Sequence, residues 1–271
     1  MLGLRQHLDA LREQDPHDPF GLRTVVRFTR DPLELLISLS QTRGDWVELD
    51  ILGTPWVLLS HPADIEAAFV EHARIMGRDA YVATLERTLG KGLLTSDGPL
   101  WRRQRKLMAQ AFTPRRIRGY AQTMAEVGAR GLSWREGQAI NLHREMSRLT
   151  MEIVAAVLFG ASIGPREVEL VAESMEAINA YYAASPEALT KLPSWVPTPL
   201  NRRVTKAVEQ LDALIFEIIA DRRRGRTRGD DLLGTLVAAV DEGGEGMSDQ
   251  QLRDEAMTLF LAGHETTALT L

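Results

Sequence analysis

The chain has 271 residues, 44% of them hydrophobic, with a formal charge of -5 and an isoelectric point near 5.8. That length can bury a substantial core, as one large domain or two smaller ones. The net acidity excludes a general nucleic-acid binder, which needs a basic surface to neutralise phosphate. The sequence contains no cysteine, so these residues supply no disulfide, zinc-thiolate site or thiol nucleophile.

The N-terminal segment MLGLRQHLDALREQDPHDP is a short amphipathic opening followed by Pro16 and Pro19. It lacks the apolar core of a signal peptide, and no run reaches the ~18 apolar residues of a membrane span. The expected location is cytoplasmic. Trp46-Val47-Glu48-Leu49-Asp50-Ile51 alternates apolar and acidic residues with period two, which predicts a half-buried strand. Gly53-Thr54-Pro55 then turns the chain into Trp56 to Leu59, and Pro62 opens a predicted helix from Ala63 to Glu71, since proline suits the first helical turn.

Beyond this hairpin the periodicity predicts helices from Trp101 to Phe112, Pro114 to Ser133, Leu142 to Phe159, Pro165 to Ala184, Asn201 to Arg224, Asp231 to Asp241, and Ser248 to the end. The expected fold is mainly α with one small β-sheet. Two connectors interrupt it, the Pro/Trp-rich Pro186 to Pro199 and the basic Arg222 to Arg228. Ser248 with Gln251 fits a capping box, whereas Leu269-Thr270-Leu271 carries no stop signal. The expectation is a chain cut in mid-helix, with the natural protein continuing.

Two segments carry chemistry. At ~100° per residue, Trp101, Arg105, Met108 and Phe112 share one helical stripe, while Arg102, Arg103 and Lys106 point elsewhere. Arg105 thus shares a face with three large apolar side chains, and a buried guanidinium demands an anion that matches its planar fork. One reading has Arg105 reach the surface or pair with an acidic residue of the fold. The other has it hold an anionic ligand together with the Trp101 indole N–H. The outward Arg102, Arg103 and Lys106 suit an acidic protein partner, where complementary charge raises the on-rate.

The second segment is Ala262-Gly263-His264-Glu265-Thr266-Thr267, a polar knot in the apolar run that starts near Leu252. A buried Glu costs several kcal/mol unless paired or neutralised, and glycine inside a helix costs about 1 kcal/mol against alanine, so local rules are broken where function is expected. His264-Glu265 matches the opening of the zinc-protease helix, which needs a second histidine four residues on; position 268 is Ala268, so that reading fails and no metal ligand is assigned. The Thr266 hydroxyl can bond the Ala262 carbonyl and locally open the helix. The alternatives are a purely structural kink and a gap where a flat ligand approaches the backbone.

Taken together, LLTSDGPLWRRQRKLMAQAF and LFLAGHETTA resemble the N-terminal part of a cytochrome P450, a haem-thiolate monooxygenase, up to its central helix. The resemblance spans essentially the whole chain and is greatest to soluble bacterial members of the fatty-acid-hydroxylase-like branch. It implies a single cytochrome P450 domain, C-terminally truncated and so incomplete over 1–271, with an N-terminal region and hairpin at 1–62 and a helical region at 63–271. It implies heme b (iron protoporphyrin IX), with Trp101 and Arg105 on a propionate, Leu93 near the haem edge, and Ala262 and Gly263 over the distal face. Leu94 and Ala262 would line the substrate pocket, Pro186 to Pro199 would roof its channel, and Thr266 supported by Glu265 would deliver protons during oxygen activation.

The implied partners are O2, a lipophilic small-molecule substrate, and an acidic electron donor (ferredoxin, flavodoxin or a reductase domain) docking near Arg102, Arg103 and Lys106. The axial cysteine of the family is absent from this chain, and the expectation is that the 271 residues alone are inactive and poorly folded. Two alternatives stand beside the enzyme: a non-catalytic helical small-molecule-binding protein of P450 ancestry, and an interaction module using the basic surface from Arg102 to Arg118.

Overall fold

Proline starts many of the helices, and short polar side chains cap them. In the computed structural model, which describes residues 21–51, 54–73, 75–77, 80–132, 134–160, 164–183, 196–226 and 231–271, Pro32, Pro62, Pro114, Pro165 and Pro199 each occupy the first helical position, where a missing N–H is no loss. The amphipathic opening with Pro16 and Pro19, the Gly53 position of the hairpin turn, residues 186–195 of the first connector and residues 227–228 of the second lie outside the described residues. The described chain falls into two compact units, with the division after Gly77.

The first unit contains α1 (Leu22–Arg30), α2 (Pro32–Arg43), β1 (Trp46–Ile51), β2 (Thr54–Leu59) and α3 (Pro62–Glu66). The two strands pair antiparallel from Trp46 with Leu59 to Ile51 with Thr54, as the alternating pattern predicts. Leu35, Leu39 and Val47 form its core, with Leu49 and Leu58 packed against them. The helices α1 and α2 are additions to the sequence reading. Their signal is Asp31, whose carboxylate accepts the Glu34 N–H at 2.9 Å directly before Pro32. The helix expected from Ala63 to Glu71 is present, but after α3 it widens over Ala67–Glu71, where the His72 N–H bonds the Ala67 carbonyl at 2.9 Å.

The second unit contains α4 (Ala80–Leu89), α5 (Gly98–Ala109), a tight turn at Gln110–Phe112, α6 (Pro114–Gly131), α7 (Leu142–Phe159), α8 (Pro165–Ala183), α9 (Pro199–Arg223), α10 (Leu232–Ala238) and α11 (Asp249–Thr270). Except for α4, each was expected, with ends shifted by up to three residues. The tenth helix is the exception in length: it stops at Ala238, and Val240 then pairs with Gly246 in a small bridge. The eleventh packs along α7, the ninth along α8, and α6 against α7. One apolar core runs through all of them, from Leu107 and Met108 through Phe159, Met175 and Ile219 to Met257 and Phe260.

Among the polar groups enclosed by this core, Arg222 and Asp231 form an ion pair with both side chains at most 5% exposed, and Arg222 also donates to the Phe159 carbonyl at 3.2 Å. Gly160, at φ 59°, lies so close that a Cβ there would sit 2.6 Å from the Asp231 carboxylate, which requires glycine. The capping box at the start of α11 is formed in both directions by Ser248 and Gln251. Among the described residues no helix is long and apolar enough to cross a membrane.

Candidate active site

The orientation of α5 is set by Gln104. This amide is fully buried, accepts from the Ser96 hydroxyl at 2.9 Å and donates to the Lys91 carbonyl at 3.0 Å, so its hydrogen-bonding needs are met inside the protein. With Gln104, Leu107, Met108 and Ala111 facing inward, the stripe expected to bury Arg105 is turned toward the edge. Only Met108 of that stripe is in the core. Trp101 is half-buried, Arg105 is exposed and Phe112 is 44% exposed. Arg105 is therefore not paired with an acidic residue of the fold, and neither its guanidinium nor the Trp101 indole has a hydrogen-bond partner among the described residues.

The neighbouring cations differ from expectation in another way. Arg103 bonds the Asp241 carboxylate at 2.8 Å and the carbonyls of Glu245 and Gly246 at 3.2 and 3.1 Å, while Lys106 pairs with Glu242. The Asp241 carboxyl is held below its ordinary range first by the Glu245 N–H and then by Arg103; Lys106 does the same for Glu242. Two of the three cations expected to face an acidic partner are thus engaged by the chain's own 241–246 turn. The third, Arg102, is exposed.

Along α11 the N-terminal half is enclosed and the C-terminal half opens. Residues 252 to 258 are all buried, including Arg253, Asp254 and Glu255. Arg253 bonds Asp212 at 2.6 Å and Asp254 at 3.1 Å. Further on, Ala262, Glu265 and Thr266 are exposed, while His264 is 6% exposed. The buried glutamate of this helix is consequently Glu255 and not Glu265, a residue that the sequence motif does not mark.

In the polar knot, the Thr266 hydroxyl donates to the Ala262 carbonyl at 2.6 Å, as expected, but α11 continues through it to Thr270. Gly263 is half-buried, and a Cβ there would meet the Val154 side chain of α7 at 3.2 Å; the glycine lets the two helices approach. Burial holds the His264 pKa below the ordinary histidine value, against a smaller raising effect of the Ser147 backbone. No cluster of three or more His, Asp or Glu able to hold a metal occurs among the described residues.

The segment between α4 and α5 joins these pieces. Asp254 accepts the Lys91 N–H at 2.8 Å, and Glu255 accepts the Leu93 N–H at 3.0 Å. The approach is close: a Cβ on Gly90 (φ 67°) would fall 2.0 Å from an Asp254 oxygen, and one on Gly92 would fall 2.2 Å from the Thr258 hydroxyl. Leu93 packs against the main core and Leu94 is 38% exposed. Advancing 100° per residue, Glu255, Thr258, Ala262 and Thr266 lie on one face of α11, so the segment carrying Leu93 and Leu94 covers the first half of the face whose second half bears Ala262 and Thr266. A wide cleft of about 970 Å³ on this unit, lined by Lys91, Leu100, Arg103 and Asp254 among others, includes none of the residues expected to hold cofactor or substrate.

A guanidinium and an indole N–H, both without a partner among the described residues, stand one turn apart on α5. The comparisons name the family. The cytochrome P450 family model matches residues 13–271, and the chain belongs to the cytochrome P450 family. It is 36% identical over 253 residues to cyclooctatin synthase of Streptomyces melanosporofaciens, covering 91% of this chain and 54% of that protein. It is 29% identical to cyclooctat-9-en-7-ol 5-monooxygenase of the same organism, over 89% of this chain and 53% of that protein. The retinoic-acid-bound structure of cyanobacterial CYP120A1 shares the fold, with a TM-score of 0.70 at 22% identity over 87% of this chain and 53% of that one. The chain spans about half the length of the curated relatives it matches.

Haem, the family's cofactor, is a flat apolar disc with two carboxylates at one edge. The residues present fit that edge and one face: an unpartnered indole N–H and guanidinium one turn apart on α5, and an exposed small-residue step at Ala262 beneath the Thr266 hydroxyl. They do not include a thiolate, since the sequence has no cysteine.

Proposed function

We propose that the protein is a haem-dependent monooxygenase that inserts one oxygen atom from O2 into a lipophilic organic substrate. The observation that carries this reading is the pair Trp101 and Arg105, two donors at the rim of an apolar core with no acceptor of their own among the described residues. An exposed guanidinium needs no partner, but one set between a half-buried tryptophan and an exposed phenylalanine matches a ligand that is anionic at its edge and apolar in its body.

When bound, the haem supplies the redox activation of O2, and the protein contributes orientation, exclusion of water and proton control. Trp101 and Arg105 would anchor a propionate. Leu93 would pack against the haem edge, and Ala262 with the Gly263 backbone would keep the distal side clear of bulk. Leu94 and Ala262 would line the substrate pocket. The Thr266 hydroxyl, now donating to Ala262, would turn that proton toward the reacting side and recover it through the exposed Glu265 carboxylate, as a general acid positioned by the helix.

The relatives are named for cyclooctatin and cyclooctat-9-en-7-ol, both cyclic by name, which favours an alicyclic apolar substrate over a straight chain. Their naming as a synthase and a monooxygenase favours catalysis over simple carriage of a ligand. The electron donor would be an acidic protein or domain of the ferredoxin, flavodoxin or reductase type. Arg102 is the cation open to it, and Lys106 becomes available on leaving Glu242.

The test is isotopic. Haem-loaded protein bearing this sequence, supplied with a surrogate electron donor and a panel of apolar cyclic alcohols under 18O2, should yield a product carrying one 18O atom. A protein that takes up no haem, or products labelled only from water, would overturn the reading.

A further inference from the structure

Glu255 sits at 0% exposure in the middle of α11 and makes one hydrogen bond, from the Leu93 N–H at 3.0 Å; its second oxygen has no partner among the described residues. A buried carboxyl is costly, and nothing in the core requires one here. Its single contact, however, falls on the backbone of the residue next to Leu94. The neighbouring Asp254 carboxylate is shared among Lys91 N–H, Gln250 and Arg253, so it ties the same segment to a wider network. Glycine at 90 and 92 is what allows the segment to come this close, since a Cβ at either would overlap Asp254 or Thr258.

We propose that Glu255 is a positioning residue, which seats residues 91–95 on α11 and thereby fixes where Leu93 and Leu94 stand relative to Ala262 and Thr266. The proposal rests on the monooxygenase reading for its consequence, though the seating itself does not. Glu255 acts through Leu93. It lies seven residues before Ala262 on the same face, about 10 Å along the axis, too far to touch a substrate held at Ala262. Releasing the Leu93 N–H frees the segment to shift and carries the Leu94 side chain with it, so the expected signature is a changed choice of reacting carbon with the chemistry itself intact.

Hydrogen exchange at the Leu93 amide, measured on the full chain, reads the seating directly. In Glu255→Ala this amide should exchange about tenfold faster or more, while the Phe260 amide in the core of α11 changes little. In Glu255→Gln, whose side-chain carbonyl can accept the same N–H, protection should be retained. Gly92→Ala, which leaves Glu255 in place but pushes the segment off Thr258, should expose Leu93 as Glu255→Ala does, and it serves if the alanine variant does not fold. On haem-loaded protein both seating-deficient variants should alter the ratio of product regioisomers, and Glu255→Gln should restore it. Equal Leu93 exchange in wild type and Glu255→Ala, exchange in Glu255→Gln as fast as in Glu255→Ala, or an unchanged product ratio in variants that expose Leu93 would each overturn the proposal. Failure of the wild type to take up haem would instead sink the monooxygenase reading and leave the exchange result standing.

Discussion

The hydroxyl of Thr266 is bonded to the carbonyl of Ala262, 2.6 Å away and one helical turn before it. Both residues are exposed, so this bond stabilises no core. It holds a proton donor in a fixed direction on the face where a small side chain leaves room.

Replacing that hydroxyl by a methyl group keeps the shape and removes the proton. Thr266→Val should leave the melting temperature nearly unchanged, because exposed threonines in helices contribute little. Product formed per electron consumed should fall roughly 10- to 100-fold, the usual scale of a positioned acid, with hydrogen peroxide released instead. Coupling measurements on haem-loaded protein check this.

The Glu255 carboxyl is pushed up to about 7, by burial first, against the lowering effect of the Leu93 N–H and with further raising by Asp254. An acid whose folded pKa lies above its unfolded value makes the native state bind the extra proton, so this group's contribution to stability declines as pH rises from about 4.5 to about 7 and is constant above. Over that window the loss amounts to about 3 kcal/mol. The Glu255→Gln variant should lose this decline and be the more stable protein at pH 8. His264 acts in the opposite sense, since its folded pKa is depressed by burial: its neutral form is favoured, and stability is lost as pH falls below about 6.5. Chemical denaturation across pH in wild type, Glu255→Gln and His264→Gln separates the two.

Asp231→Asn removes the carboxylate that is paired with the buried Arg222. Removing one partner of a buried pair typically costs about 3–5 kcal/mol, and here both side chains are at most 5% exposed. The variant should show a lower denaturation midpoint with an unchanged slope.

Arg103 and Lys106 should divide stability from partner binding. Arg103 holds Asp241 and two carbonyls of the 245–246 turn, so Arg103→Ala should loosen that turn and lower the melting temperature. Lys106 is 65% exposed and its partner Glu242 86% exposed; Lys106→Ala should melt with the wild type yet slow association with an acidic electron donor, more strongly at low salt. Stopped-flow association rates against ionic strength test the distinction.

How much of this was legible in the sequence follows from the range of each interaction. From Trp101 onward the helices are long and periodic, and periodicity survives in any tertiary context, so they are found. In α1, Leu22–Arg30, the residues Thr24, Val25, Val26 and Thr29 favour a strand locally, and tertiary context overrides propensity. The Thr266 back-bond was readable because both ends lie within one turn. The direction of Arg105 was not, because Gln104 decides it through Ser96 and Lys91, partners that periodicity does not see. Glu255 carried no local mark at all: its one bond spans 162 residues.

The central claim is that Trp101 and Arg105 hold the acidic edge of a haem, and the dissociation of haem from protein bearing this sequence tests it most directly. With haem-loaded wild type and Arg105→Leu transferred to an excess of apomyoglobin, the variant should lose haem at least tenfold faster, with its far-ultraviolet dichroism unchanged. Equal rates of loss from the two proteins would contradict the claim.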